Sequence, residues 1–251
     1  MQTALVFSPH ADDATIFCGG TLARLAGEGW RVVLVRVTDD RFDSVGLTVE
    51  ETLERNRVEL REAADILGVA EVVDLGFPTD CLADTPLGRL RERAVWLLRR
   101  HRPHTVLSFD PADRFEDNQD HVRVAQAVAE AFWVSCFDKH HPEHFADGVE
   151  PFAPAERWYF SRSCPEANHA VDITDLLDRK VRAVCAHRTM MRNVVNQYRL
   201  QFRTAGQAVP ALDAAVEGEG LEPLLQAYVA GVAGAVARGA GLPEGQIGRA
   251  S

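Results

Sequence analysis

The stretch TALVFSPHADDATIFCGGTLARLAGEGWRVVLVRV, residues 3–37, decides the fold class. It opens on one short apolar run, TALVF (3–7), and closes on another, RVVLVRV (31–37). Continuous apolar character over so few residues, rich in Val and Leu, is what a strand buried on both faces of a sheet requires. Between the two runs, GTLARLAGEG (20–29) carries its apolar residues at helical spacing. Strand, helix and strand at this spacing make a right-handed crossover and therefore a parallel sheet.

Moving outward, EVVDL (71–75) and HTVLSF (104–109) repeat the strand pattern, and helices are expected over about 50–68 and over LGRLRERAVWLLRRHR (87–102). Gly29 and Gly68 stand where helices stop. The second half is less regular. HVRVAQAVAEAFW (121–133) and DLLDRKVRAVCAHR (175–188) read as helices, RWYFS (157–161) and HAVDIT (169–174) as short strands, and the Pro-rich segment 138–155 as a loop. Two more helices are expected at 211–217 and 222–238. The expected fold is α/β, Rossmann-like, with a mostly parallel sheet, helices on both faces and an active site at the carboxyl ends of the strands. The chain reads as one domain over 1–251, with a core of about 3–190, a helical extension of about 191–240 and a disordered tail at 241–251.

Composition narrows the function classes. A net charge of −10 disfavours nucleic acid and anionic membrane as partners, because phosphate contacts need a basic face. No stretch approaches the roughly 20 apolar residues of a membrane span, and Met1 leads into a strand without a basic leader, so a cytoplasmic location is expected. The five cysteines are scattered without a CxxC pair, which argues for reduced thiols and against a thiolate zinc site. The expected partner is a small N-acylated molecule; a homo-oligomer stays open.

Polar chemistry concentrates directly after two strands, in SPHADD (8–13) and in DPADRFEDNQDH (110–121). In an open parallel sheet both positions face the ligand crevice. A hydrolytic zinc site takes three His or carboxylate ligands and leaves one position open, and His10, Asp13 and His121 supply such a set. Adjacent Asp12 and Asp13 project differently on a turn, so one can ligate while the other faces the open position as a general base. The competing reading has the two aspartates capping the following helix, which leaves His10 unexplained. His121 alone would read as a helix-start histidine.

The segment 8–40 resembles the opening of the LmbE-like, or PIG-L, zinc N-deacetylases, whose pattern is a strand, PHxDD, small GGT-like residues, a helix and a second strand ending in a T-D/G turn. Further landmarks follow in the family's order: EAADILGV (62–69), DLGFPTD (74–80), DNQDHVRVAQAV (117–128) and VDIT through AVCAHR (171–188). The resemblance covers about residues 3 to 190. It implies zinc (Zn2+) held by His10, Asp13 and His121, with Asp12 as the base, and removal of an acyl group, usually acetyl, from an amino sugar or glycosylated metabolite. Two departures stand out. The family's His-Pro-Asp-His is Asn118-Gln119-Asp120-His121 here, so Asn118 takes the place of a histidine that helps to stabilise the oxyanion. A substrate-contacting arginine of the second helix falls on Asn56, with Arg55 and Arg57 beside it as substrate candidates. His187 sits at a position the family favours and is a further catalytic candidate.

Rival readings remain. A metal-binding relative with weak or lost catalysis, or an amidase of another small molecule, would share the same motifs. A nucleotide-binding Rossmann protein is disfavoured, because GxGxxG is absent and Gly19 and Gly20 serve a close approach more simply. His140, His141 and His144 read as a solvated loop, and the arginines of 89–102 as a solvated helix face with Trp96 turned to the core. The loops at 39–49, 77–88 and 138–155 are the expected determinants of substrate.

Overall fold

The computed structural model describes residues 1–162, 167–240 and 245–250, the last six and 237–240 by backbone alone. Cys164, residues 241–244 and Ser251 lie outside the described residues. Strands β1 (Thr3–Ser8), β2 (Arg31–Thr38), β3 (Glu71–Phe77), β4 (Thr105–Phe109) and β5 (Glu156–Phe160) pair in parallel. With β6 (His169–Asp172) and β7 (Gly245–Ala250) the order is β3-β2-β1-β4-β5-β7-β6. The helices are α1 (Asp13–Gly27), α2 (Val49–Leu67), α3 (Leu87–His101), α4 (Gln119–Val134), α5 (Leu177–Ala186), α6 (Arg188–Thr204), α7 (Pro210–Glu217) and α8 (Leu221–Ala240).

Alternation along the strands divides the core in two. Ala4 and Val6 of β1 with Val32 and Leu34 of β2 bury against α1, α2 and α5; Leu5, Phe7, Val33 and Val35 bury against α3 and α4. The expected α/β sheet with helices on both faces is the observed one. From β1 the chain runs outward through β2 to β3, then returns to β4 on the other side of β1. The switch point lies between β1 and β4, so SPHADD and the loop after β4 open on the same crevice.

Small residues set the depth of one layer. A Cβ on Gly20 would lie 2.6–2.9 Å from the side chain of Ile173, so the glycine lets the segment after β6 close onto α1. Gly68 ends α2 at φ +78°, as a helix stop should.

Three readings need correction. The tail from 241 contains β7, which pairs antiparallel with β5 and β6 and supplies backbone partners to an edge that β5 would otherwise leave open. The helical extension begins earlier than expected, since α6 starts at Arg188. Arg99, expected on a solvated face, is 1% exposed. Its guanidinium donates to the carbonyls of Ser135 (3.1 Å), Phe137 (2.9 Å), His140 (2.7 Å) and His141 (3.0 Å) and meets His144 Nδ1 at 3.3 Å. His144 is buried with it and faces Glu92 at 2.8 Å, so the histidine tract is an anchored loop rather than a solvated one. His141, Glu143 and His144 lie close enough to hold a metal, but the Arg99 cation beside His144 opposes a second positive charge there.

Candidate active site

The turn after β1 is closed from within. Ser8 Oγ donates to the His10 carbonyl (2.6 Å) and accepts from Ala14 N (3.0 Å), while Asp13 Oδ2 accepts from His10 N (2.9 Å). These bonds fix the PHADD loop and start α1 at Asp13. The same Asp13 oxygen lies 3.0 Å from His10 Nδ1, and its partner oxygen lies 3.2 Å from His121 Nε2. His121 is brought in by the first turn of α4, and its ring stacks on Phe109 of β4 at 4.1 Å. His10 Nδ1 and His121 Nε2 face each other at 3.2 Å. The ligand atoms of these three buried residues lie within 4.8 Å of one another.

Two imidazole nitrogens and both oxygens of one carboxylate thus converge on one point. In the absence of a cation, protons must supply the compensating charge. Burial works against protonating His10 and His121, but Asp13 and the carboxylates behind each ring outweigh it and hold both above the ordinary histidine value. Burial likewise works to raise Asp13, yet the two imidazoles hold its carboxyl far below the usual range. Such a set fits a divalent metal: the nitrogen and oxygen donors are of the type that zinc takes.

Asp12 occupies the N-cap position of α1 but makes no capping bond with its side chain, so the capping alternative does not account for it. It is 6% exposed, and burial together with Asp13 pushes its carboxyl well above the usual range. Behind the triad, Asp120 Oδ2 meets His10 Nε2 at 3.3 Å, and the Asp120 carboxylate accepts from the amides of Asp80 (2.7 Å) and Leu82 (3.1 Å). His121 Nδ1 has Glu116 Oε2 at 3.1 Å, an ion-pair contact without the alignment of a hydrogen bond. Asp40 and Asp43 add to this acidic wall, raised by burial to about 7 and about 6.

The other sequence candidates fall at different distances from this centre. Asn118 caps α4, its Oδ1 accepting from Asp120 N at 2.9 Å. His187 is fully buried between α5 and α6, with Nε2 3.0 Å from Thr15 Oγ1 and Nδ1 without a partner; burial pushes it down to about 4, which makes it a neutral ring braced on α1. The structure does not bring Arg55 and Arg57 to the triad. Arg55 is exposed, and Arg57 pairs with Glu54 at 2.7 Å on the surface of α2. Successive helix positions diverge by about 100°, and it is Asn56 that turns inward, donating to the Asp40 carbonyl at 3.0 Å. Sequence reading missed Glu116, Asp120, Asp40 and Asp43 as parts of the site. Asp120 had a signal, its place beside His121; Glu116 had none.

Comparison with known proteins agrees with this geometry. The sequence model of the PIG-L family, described as GlcNAc-PI de-N-acetylase, matches residues 5–132. The chain is 30% identical over 193 residues to the diacetylchitobiose deacetylase of Thermococcus kodakarensis, across 74% of this chain and 69% of that protein. It is 32% identical over 151 residues to the 1D-myo-inositol 2-acetamido-2-deoxy-α-D-glucopyranoside deacetylase of Mycobacteroides abscessus, across 49% of this chain and 54% of that one. In fold it is similar to the N,N'-diacetylchitobiose deacetylase of Pyrococcus horikoshii, with a TM-score of 0.81 at 22% identity over 100% of this chain and 84% of that one. Among the described residues no helix is long and apolar enough to cross a membrane. The chain belongs to the PIG-L, LmbE-like family, whose members matched here are deacetylases, hydrolases of amide C–N bonds.

Proposed function

We propose that the protein is a zinc-dependent N-deacetylase that releases acetate and a free amine from an N-acetylated amino sugar or a glycosylated small metabolite. The convergence of His10 Nδ1, Asp13 and His121 Nε2, with the buried and uncommitted Asp12 carboxylate next in sequence, carries this reading. His10, Asp13 and His121 would hold the metal, which when bound supplies a Lewis acid for the amide carbonyl and acidifies a water. Asp12 then accepts the proton of the attacking water and returns it to the departing nitrogen. Asn118 donates from Nδ2 to the developing oxyanion, because its Oδ1 is committed to the helix cap. The neutral His187 braces Thr15 and through it the start of α1. Four free cysteines, Cys18, Cys81, Cys136 and Cys185, support a reducing, cytoplasmic setting.

The test is a pair of isosteric variants assayed on N,N'-diacetylchitobiose and related N-acetylglucosamine compounds, with metal content measured in parallel. Asp12→Asn is expected to keep its zinc and lose about 10²- to 10⁴-fold in kcat. Asp13→Asn is expected to lose the metal. Zinc binding without turnover in the wild-type protein would favour instead a metal-binding relative that has lost catalysis.

A further inference from the structure

His10 and His121 face the common point through opposite ring nitrogens, Nδ1 and Nε2. Each therefore turns its other nitrogen away, and a carboxylate waits there: Asp120 behind His10 Nε2 at 3.3 Å and Glu116 behind His121 Nδ1 at 3.1 Å. An imidazole that ligates through one nitrogen must keep its proton on the other, so a carboxylate at the back selects the ligating tautomer. The two carboxylates are held differently. Asp120 is fixed by backbone amides. The Glu116 side chain, 4% exposed, is shared with a full cation: Arg162 Nε reaches Oε2 at 3.1 Å, while Asn118 N donates to Oε1 at 3.0 Å. Arg162 itself is 54% exposed, and its guanidinium lies over the ring of Phe17 at 5.5 Å.

We propose that Glu116 is a positioning residue for His121, setting its tautomer and orientation, and that Arg162 at the rim restrains the Glu116 charge and so tunes metal affinity from outside the site. This rests on the metal reading of His10, Asp13 and His121. A carboxylate shared with a guanidinium gives less electron density to the imidazole than one left to it alone. The Asp120 arm has no such control, so the site has one fixed ligand and one adjustable ligand.

The test is cobalt(II) binding to metal-free protein by chelator competition, with the visible absorption of the bound ion recorded alongside. Glu116→Gln is expected to bind cobalt about 10- to 100-fold more weakly and to shift its absorption bands. Glu116→Asp keeps the charge but retracts it by one methylene, and is expected to weaken binding nearly as much, which a purely through-space charge effect would not do. Arg162→Met is expected to tighten binding by about two- to tenfold, since it frees Glu116 and removes a nearby positive charge. Loss of stability alone would weaken binding in every variant, so the opposite direction of Arg162→Met is diagnostic, and it holds even if Glu116→Gln does not fold. Binding by Glu116→Gln within about twofold of wild type, or Arg162→Met moving in the same direction as Glu116→Gln, would overturn the assignment. Failure of the wild-type protein to bind cobalt at all would instead overturn the metal reading on which it rests.

Discussion

Asn118 concentrates two roles in one carboxamide, and they separate by atom. Its Oδ1 caps α4, the helix that presents His121, while Nδ2 is the atom left to donate to an oxyanion. Asn118→Ala removes both and is expected to cost about 1 kcal/mol of stability for the lost cap, together with about 10- to 1000-fold in kcat for the lost donor. Asn118→Asp keeps an acceptor at a helix N-terminus, where negative charge is welcome, but cannot donate. It should hold the melting temperature and still lose turnover. Steady-state kinetics and thermal denaturation of the two variants check this, and an aspartate variant with unchanged kcat would remove Asn118 from the chemistry and leave it a cap. The residue scale also shows where sequence adjacency misleads. Arg55 and Arg57 flank Asn56 in the chain, yet the helix turns them outward and Asn56 inward.

At the level of elements, packing decisions hang on single contacts. Replacing Gly20 with alanine would stabilise an exposed helix by up to about 1 kcal/mol. Here the new Cβ meets Ile173 at 2.6–2.9 Å, and overpacking of about 1–3 kcal/mol is expected to win. Chemical denaturation of Gly20→Ala, alone and with Ile173→Ala, checks this: the cost should shrink in the double variant, and a stabilised single variant would contradict it. Arg99→Met strips the donors from four loop carbonyls and is expected to cost about 2–4 kcal/mol, measured the same way. Elements whose pattern is local were legible in the sequence: β1 and β2 by continuous apolar runs, and α2 by a glycine in the left-handed region at its end. Helix α6 was not. Thr189, Met190, Met191 and Val195 are its only buried residues, too few to make an apolar stripe along Arg188–Thr204. Arg99 was illegible for a related reason, since its acceptors come from a loop some 36 to 42 residues further on. The metal candidates were legible because two share one turn and the third follows a strand that the topology sets beside it; Glu116 is tied to His121 by loop geometry with no sequence period.

For the whole molecule, the buried acidic wall makes stability a function of pH and of metal together. Between about pH 6.5 and 7.5, His10 and His121, raised above their ordinary value, hold protons that the unfolded chain has released. Asp12 and Asp40, raised by burial and the latter to about 7, do the same. The folded state thus binds more protons than the unfolded state, and the stability of the metal-free protein is expected to fall as pH rises through this window, by up to about 1.4 kcal/mol per pH unit for each proton of difference. His187 works the other way, but only between about pH 4 and 6.5, where the unfolded histidine takes a proton that the buried ring refuses. Lys180, lowered by burial to about 8, acts mainly above the window. Zinc reverses the trend, because it replaces the protons of His10 and His121 and so binds more tightly as pH rises, adding about 2.7 kcal/mol at a hundred times its Kd. Melting temperatures at pH 6.5, 7.0 and 7.5, with chelator and with zinc, should therefore diverge, falling in the first series while the gap between the two widens. A metal-free melting temperature that climbs with pH would mean that His10 and His121 are not protonated in the folded chain, and a gap that narrows would mean that the metal is held by groups other than these two imidazoles.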